Sequence, residues 1–257
     1  MSQRTVLVTG ATRGIGLAIT RFLLEEYKVR VIALARSRTP EIEELAKKFE
    51  GSLHLASCDV SDEKSLTSTI QSFVEKLGSL DALILNAGAI EPIARISDPS
   101  VPLASWRNAF DINVFSLVVA LRAAAPALRK SADGGRVVFV SSLAADKSIA
   151  AWGAYNAAKA AMNSICRTFA EEEPSIVSVA LDPGIVDTDM QRVIRDTGSG
   201  HMQDWHQMFI KLKEEGKLVK PEQPAHVLAG LALGAPKELS GQFVPWDGDK
   251  VKEFRKD

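Results

Sequence analysis

A chain of 257 residues with 46% hydrophobic and 25% charged residues has the make-up of one water-soluble α/β domain whose core needs no disulfide staples. A formal net charge of −1 argues against nucleic acid or an anionic membrane as the main partner. Two cysteines, Cys58 and Cys166, fit a reducing compartment, and His54, His201, His206 and His226 lack metal-ligand spacing, so no metal site is expected.

No charged-then-apolar leader precedes the first strand, Thr5–Thr9, so the expected location is cytosolic. Apolar residues at helical spacing (Ile15, Ile19, Phe22, Leu23) predict a helix over Ile15–Glu26. A second strand follows at Val29–Leu34, then a helix over Pro40–Phe49 with Thr39 as its cap. The third strand is Leu53–Ser57. After Ser61-Asp62 comes a helix at Glu63–Leu77, and after it the fourth strand, Ala82–Leu85. Leu103–Leu128 reads as one long helix with Pro126 near its end. Its strongly apolar part, Val114 to Leu121, is far short of a membrane span. The fifth strand is Arg136–Val140, a second long helix covers Trp152–Glu172, and the sixth strand is Ile176–Leu181. Asp187 to Lys220 is irregular. Pro224–Leu233 is a last helix and Gln242–Val244 a short last strand.

The strands are continuous apolar runs, as in strands covered on both faces. Strand–helix alternation therefore predicts one Rossmann-type, doubly wound parallel sheet of about seven strands over residues 1–257, with helices on both faces. The irregular stretch after the sixth strand, about 188–220, would lie over the carboxyl edge of the sheet as a substrate lid.

The first strand runs straight into Gly10-Ala11-Thr12-Arg13-Gly14-Ile15-Gly16 and a helix. Glycines at a strand-to-helix turn let the backbone approach a pyrophosphate, and the helix N-terminus favours its charge. The competing reading is a tight structural turn. An acidic residue at the end of the second strand would hold the ribose 2′-hydroxyl of NAD. Here the strand ends in Arg36-Ser37-Arg38 instead. Arg36 can form a forked contact with a 2′-phosphate, with Arg13 flanking it, which favours NADP(H). Two solvated arginines are the bland alternative.

Tyr155 and Lys159 stand four residues apart on one face of the second long helix. A phenol is a poor acid at neutral pH, its pKa being about 10. An ammonium at roughly 4 Å in an effective dielectric of about 20 is worth about 4 kcal/mol to the phenolate, enough to draw that pKa towards neutrality. Ser142 directly follows the fifth strand, where such sheets place their chemistry. Its hydroxyl can share charge developing on a carbonyl oxygen, whereas Ser141 points elsewhere.

Thr9-Gly10-x-x-x-Gly14-x-Gly16, Asp59-Val60, Asn86-Ala87-Gly88, Asn113, Ser142, Tyr155-x-x-x-Lys159 and Pro183-Gly184 together resemble the short-chain dehydrogenase/reductase superfamily in its single-domain branch. The resemblance spans nearly the whole chain. Leu85 departs from it, standing where many members carry a second asparagine. The resemblance implies that Tyr155 protonates a carbonyl oxygen as hydride arrives from a nicotinamide. Lys159 would tune Tyr155 and bind the nicotinamide ribose, Ser142 would orient the carbonyl, and Asn113 would hold a water that passes protons to Lys159. The glycine loop (Gly10, Thr12, Arg13, Gly14, Ile15, Gly16) would hold the cofactor with Arg36 and Ser37. Asp59 and Val60 would contact adenine, and Asn86, Ala87 and Gly88 would line the adenosine-ribose side. Pro183, Gly184, Ile185 and Thr188 would meet the nicotinamide amide and the phosphates.

Trp152-Gly153-Ala154-Tyr155, Pro183 to Met190 and Ser240-Gly241-Gln242-Phe243 are most similar to sepiapterin-reductase-like members, above all fungal and bacterial relatives that reduce diketones such as benzil. Asp247 or Asp249 would be the acidic residue that holds a pterin in the mammalian ones, though the local sequence does not align. A wall of Leu143, Trp152, Met190, Met202, Trp205, Met208 and Phe209 suits an apolar or aromatic ketone, with Ser142, Leu143, Trp152, Tyr155, Met190 and Trp205 as the expected substrate contacts. The expected function is NADPH-dependent reduction of a ketone or diketone. Two other readings stand beside it: an NADP(H)-binding sensor or scaffold without turnover, and a reductase of 3-oxoacyl groups on a carrier. The long helices pair between subunits in many relatives, which implies a homodimer or homotetramer.

Overall fold

The computed structural model describes residues 3–256. Seven strands form one parallel sheet: β1 (Thr5–Thr9), β2 (Arg30–Ala35), β3 (Leu53–Ser57), β4 (Ala82–Leu85), β5 (Gly135–Val140), β6 (Ile176–Asp182) and β7 (Phe243–Pro245), in the order β3-β2-β1-β4-β5-β6-β7. The chain builds outward from β1 on one side as far as β3. It then crosses back to β4 beside β1, so the winding reverses there and the connecting loops part.

Alternation along each strand divides the core in two. Val6, Val8, Val31, Ala33, Ile84 and Val138 face α1 (Gly14–Glu25), α2 (Pro40–Lys48) and α9 (Glu222–Gly234). Leu7, Ile32, Leu34, Leu83, Val137 and Phe139 face α3 (Glu63–Leu77), α5 (Ser116–Leu128) and α6 (Gly153–Glu172). Burying each such side chain contributes roughly 1.5–3 kcal/mol. Local chemistry sets the helix ends. Thr39 caps α2 by accepting from the Ile42 N–H at 3.4 Å, with Pro40 opening the helix. Asp62 caps α3 through the Ser65 N–H, and Gly78 closes it in the left-handed region.

The expected helix Leu103–Leu128 is not uniform. It comprises α4 (Leu103–Phe110), a π-helical turn at Asp111–Phe115 and then α5. The widened turn coincides with side chains that compete for backbone carbonyls. Asn113 donates to Ala109 O at 2.8 Å and Ser116 Oγ donates to Ile112 O at 2.6 Å. The whole 26-residue run is long and apolar enough to cross a bilayer by length and composition, which its eight-residue apolar centre alone did not suggest. Half of the apolar window is buried, with Leu117, Ala120, Leu121 and Ala124 against the sheet, so it serves as a core helix.

The irregular stretch folds into α7 (Asp189–Thr197) and α8 (Asp204–Glu214). With the loop after β4 and the loop after β5 they enclose a third, smaller apolar cluster: Ile90, Ala144, Ile149, Trp152, Tyr155, Ile194, Met202 and Phe209.

Candidate active site

A cleft of about 750 Å³ opens at the carboxyl ends of the strands. That volume is in the range of small-molecule and cofactor sites. Every residue expected to touch cofactor or substrate lines it, from Gly10 and Arg36 through Asn86, Ser142 and Tyr155 to Thr188, Met190 and Trp205. Asn113 is the exception.

The glycine loop is built for close backbone approach. A Cβ on Gly16 would stand 2.1 Å from Gly10 O, and Gly10 itself holds φ +65° with its Cα side against Ala87. Gly14 holds φ +53°, and a Cβ there would lie 3.1 Å from Thr188 Cγ2, so the loop and the start of the lid segment stand close together. Arg13, the residue before α1, lends no side-chain oxygen to the first helical N–H groups. Those donors are left to an incoming anion. Asn86 has a second task besides lining the cleft. Its amide donates to Thr9 O at 2.9 Å and Gly10 O at 3.0 Å, while Thr9 Oγ1 accepts from the Asn86 and Ala87 N–H groups at 3.0 Å. The residue therefore latches the loop after β4 to the glycine loop.

Arg36 and Ser37 lie exposed at the tip of β2 beside Asp59. Ser61, by hydrogen bonds to the Asp59 carboxylate, and then Arg36, by its charge, hold that carboxylate below its ordinary range. Arg13 points the other way, pairing with Asp189 at 3.4 Å. Arg36 is thus the cation at the β2 end of the cleft, and the flanking expected of Arg13 is not made in this conformation.

Tyr155, Ser142 and Lys159 converge deeper in the cleft. Ser142 Oγ accepts the Ala144 N–H at 3.2 Å, which fixes the oxygen and leaves its proton for the Tyr155 hydroxyl, its hydrogen-bond partner. Ser141 is turned away, its hydroxyl donating to Asn163 Oδ1 at 2.6 Å. Lys159 is 3% exposed. Its Nζ donates to Val140 O at 2.7 Å and lies 5.4 Å from the centre of the Tyr155 ring. Burial pushes the lysine down to about 7 and pushes the tyrosine up, against a smaller downward pull from Ser142. Burial therefore dominates the acidity of Tyr155 in this conformation, in which the Lys159 ammonium is bonded to the Val140 carbonyl.

Asn113 is fully buried. Its two N–H groups go to Ala89 O at 2.9 Å and Ala109 O, and its oxygen accepts from the Ala89 N–H at 3.1 Å. Its side chain thereby braces the loop after β4 against the π turn.

The lid supplies an aromatic ladder. Tyr155 meets Trp152 edge-on at 5.5 Å, Trp152 stacks on Phe209 at 5.5 Å, and Trp205 continues the stack at 6.2 Å. Met202 is buried inside the lid and does not line the cleft, nor does Met208. Neither Asp247 nor Asp249 reaches it. The indole N–H of Trp152 is buried with no acceptor, at a cost of about 1–3 kcal/mol. Phe209 of the expected wall lines the cleft. Ile90, Ile149 and Ile194 line it too, and the apolar pattern marks those three as buried without saying which cavity they wall. Asp182 at the end of β6 was missed as well. Burial raises its pKa, and it accepts from the backbone N–H groups of Gly184 and Leu143. It thereby ties the loop after β6 to the loop that carries Ser142.

Comparison with known proteins agrees with this geometry. The family model described as short chain dehydrogenase matches residues 4–198. An oxidoreductase of Schizosaccharomyces pombe is 42% identical over 247 residues, covering 95% of this chain and 97% of its own. A benzil reductase ((S)-benzoin forming) of Saccharomyces cerevisiae is 32% identical over 256 residues, covering 96% of this chain and 97% of its own. The crystal structure of a short chain dehydrogenase/reductase from Saccharomyces cerevisiae superposes with a TM-score of 0.92 at 35% identity, covering 98% of this chain and all of that one.

Proposed function

The chain belongs to the short-chain dehydrogenase family, and from that premise we propose that it is an NADPH-dependent reductase of ketones or diketones with Tyr155 as proton donor. The observation that carries this reading is the meeting of Ser142, Tyr155 and Lys159 in the same cleft as the uncapped glycine loop. The likeness to a benzil reductase supports a diketone as substrate.

The cleft fits a nicotinamide dinucleotide. Side chains at Gly10 and Gly16 would push the loop off the segment after β4, one at Gly14 would reach across to Thr188, and Arg36 lines the cleft where it could meet a 2′-phosphate. Gly10–Gly16, Arg36, Asp59–Val60 and Pro183–Thr188 would hold the cofactor, which when bound supplies the hydride.

The protein supplies position and the proton. Burial keeps the Tyr155 hydroxyl protonated at neutral pH, so it is a donor and not a base in the reductive direction. Ser142 donates to the substrate carbonyl and polarises it. As negative charge grows on that oxygen, the Tyr155 O–H bond breaks and its proton passes to the oxygen, leaving the charge on the phenol. Protonated Lys159 stabilises that charge in a site from which the lid excludes water. We infer further that the whole chain acts as one catalytic domain, in the cytosol, as a homodimer or homotetramer.

Mixing the purified protein with NADPH and a ketone and diketone panel tests the assignment by the loss of reduced-nicotinamide absorbance. Turnover in the parent with a fall of roughly 100-fold or more in Tyr155→Phe is expected. Full activity in that variant removes Tyr155 from the role. Tight NADPH binding without turnover of any carbonyl would favour the sensor.

A further inference from the structure

We propose that Asp182 is a positioning residue of the reaction: its carboxylate locks the loop that carries Ser142 to the Pro183-Gly184 turn and stands as a fixed negative charge beside the Lys159 ammonium. The inference rests on the reductase reading and adds one residue to that site.

β5 and β6 end side by side at the carboxyl edge of the sheet. Val140 pairs with Leu181 in register, and the Ser141 N–H donates to Leu181 O at 2.8 Å, so Asp182 is the next residue of β6 beyond that pair. Side chains alternate along a strand. Val177, Val179 and Leu181 lie in the core on the α1 and α9 side, so Asp182, like Ala180, turns to the face covered by α6, the helix of Tyr155 and Lys159. The Trp246 N–H holds the backbone there, donating to Asp182 O at 2.9 Å. Asp182 Oδ1 accepts from the Gly184 N–H at 3.1 Å, closing a turn across Pro183 in which Gly184 takes φ +77°. The Leu143 N–H donates to the same carboxylate. That bond is not local: it joins the end of β6 to the residue directly after Ser142. The Lys159 ammonium, bound to Val140 O at 2.7 Å, sits on the neighbouring strand. The charged and titratable groups facing Asp182 are Lys159 and Tyr155 from α6 and Asp247 from the loop after β7. Burial pushes Lys159 down, and the Asp182 charge opposes it, keeping the ammonium. Burial pushes Tyr155 up, and the same charge adds to it, keeping the donor protonated. On Asp182 itself burial works against the charge, the Gly184 and Leu143 N–H groups for it, Asp247 against it and Lys159 for it.

Two variants separate the lock from the charge. Asp182→Glu keeps the charge but displaces the carboxylate by one methylene, which frees the Leu143 N–H and loosens Ser142. With saturating NADPH and benzil, its kcat at pH 6 should fall roughly tenfold. Asp182→Asn keeps an acceptor for the turn and removes the charge. The fall of kcat with rising pH, centred near 7 in the parent, should then move down by about half a pH unit or more, and should stay near the parent's position in Asp182→Glu. A merely structural residue would lower kcat and Tm without moving that midpoint. An unmoved midpoint in Asp182→Asn, or an unchanged kcat at pH 6 in Asp182→Glu, overturns the proposal. If the parent reduces no carbonyl, the reductase reading fails separately, and the charge is judged by melting. At pH 6 Asp182→Asn should lower Tm more in the parent than in a Lys159→Met background, because only the parent has the ammonium to lose. By pH 9 the folded parent's lysine is neutral and the difference should close. Equal losses in the two backgrounds at pH 6 overturn the inference.

Discussion

Lys159 is held by two opposing demands, and its titration should expose both. Its ammonium is needed when charge appears on Tyr155, yet burial pushes its pKa down to about 7. Below that pH the charge is present; above it the charge is lost. Carbonyl reduction should therefore fall as pH rises through about 7, provided chemistry limits turnover, and kcat measured at saturating substrate would show it. A flat kcat from pH 6 to 9 would contradict this. Stability carries the opposite sign. A lysine whose folded pKa lies below its unfolded value of about 10.4 costs stability at low pH, and the cost fades between about 7 and that value. Lys159→Met removes the cost along with the bond to Val140 O. Its Tm relative to the parent should be most favourable near pH 6 and should decline as pH rises. Arg36 is a simpler case, an exposed cation at the tip of β2. A charged hydrogen bond contributes about 1.5–3 kcal/mol, so Arg36→Ala should raise KM for NADPH by roughly 10- to 100-fold and leave KM for NADH little changed. Equal effects on the two cofactors would show that Arg36 does not read the 2′-phosphate.

The glycine loop states its own prediction at the level of elements. A methyl group at Gly16 meets Gly10 O at 2.1 Å and Asn86 Nδ2 at 2.6 Å, so Gly16→Ala must pry the loop from the segment after β4. Overpacking of this kind costs about 1–3 kcal/mol. The variant should melt a few degrees lower and lose most of the stabilisation that NADPH gives the parent, as differential scanning fluorimetry would read. By contrast, an added Cβ at Gly51 or Gly78 meets nothing, so only backbone strain is at stake there. This difference also shows what the chain makes legible. The loop, the strand ends and the Tyr155–Lys159 pair could be placed because each depends on residues close in sequence or on an apolar period. The π turn could not, since Asp111–Phe115 keeps the composition of a helix and Asn113 within it finds a partner, Ala89, that is distant in sequence. The brace from Asp182 to Leu143 was hidden for the same reason. Phe209 was visible as a lid aromatic, but its stack on Trp152 is tertiary. The burial that raises Tyr155 was hidden as well, because spacing along a helix reveals attraction and not desolvation.

At the scale of the whole molecule, the face of α4 and α5 turned away from the sheet is the open question. Leu103 is 62% exposed, Phe115 55% and Val118 38%, on the same helical run whose other side is the core. Single exposed apolar residues need no explanation, but Phe115 and Val118 stand one turn apart and form a continuous stripe. A second copy of the chain laid against this stripe would bury it, in line with the homodimer or homotetramer proposed above. Charges placed there would have to be desolvated on association, so Phe115→Glu combined with Val118→Glu should shift the protein towards monomer in light scattering coupled to size exclusion. The α5 residues that hold the core, Leu117 and Leu121, are untouched, so the monomer should keep its far-UV circular dichroism. Asn113 and the π turn lie directly before the stripe. If association supports that turn, the monomeric variant should also bind NADPH more weakly, because Asn113 braces the loop after β4 that closes the cofactor cleft. An unchanged oligomeric mass in the double variant would move the interface elsewhere. Loss of mass with full cofactor affinity would separate assembly from the site.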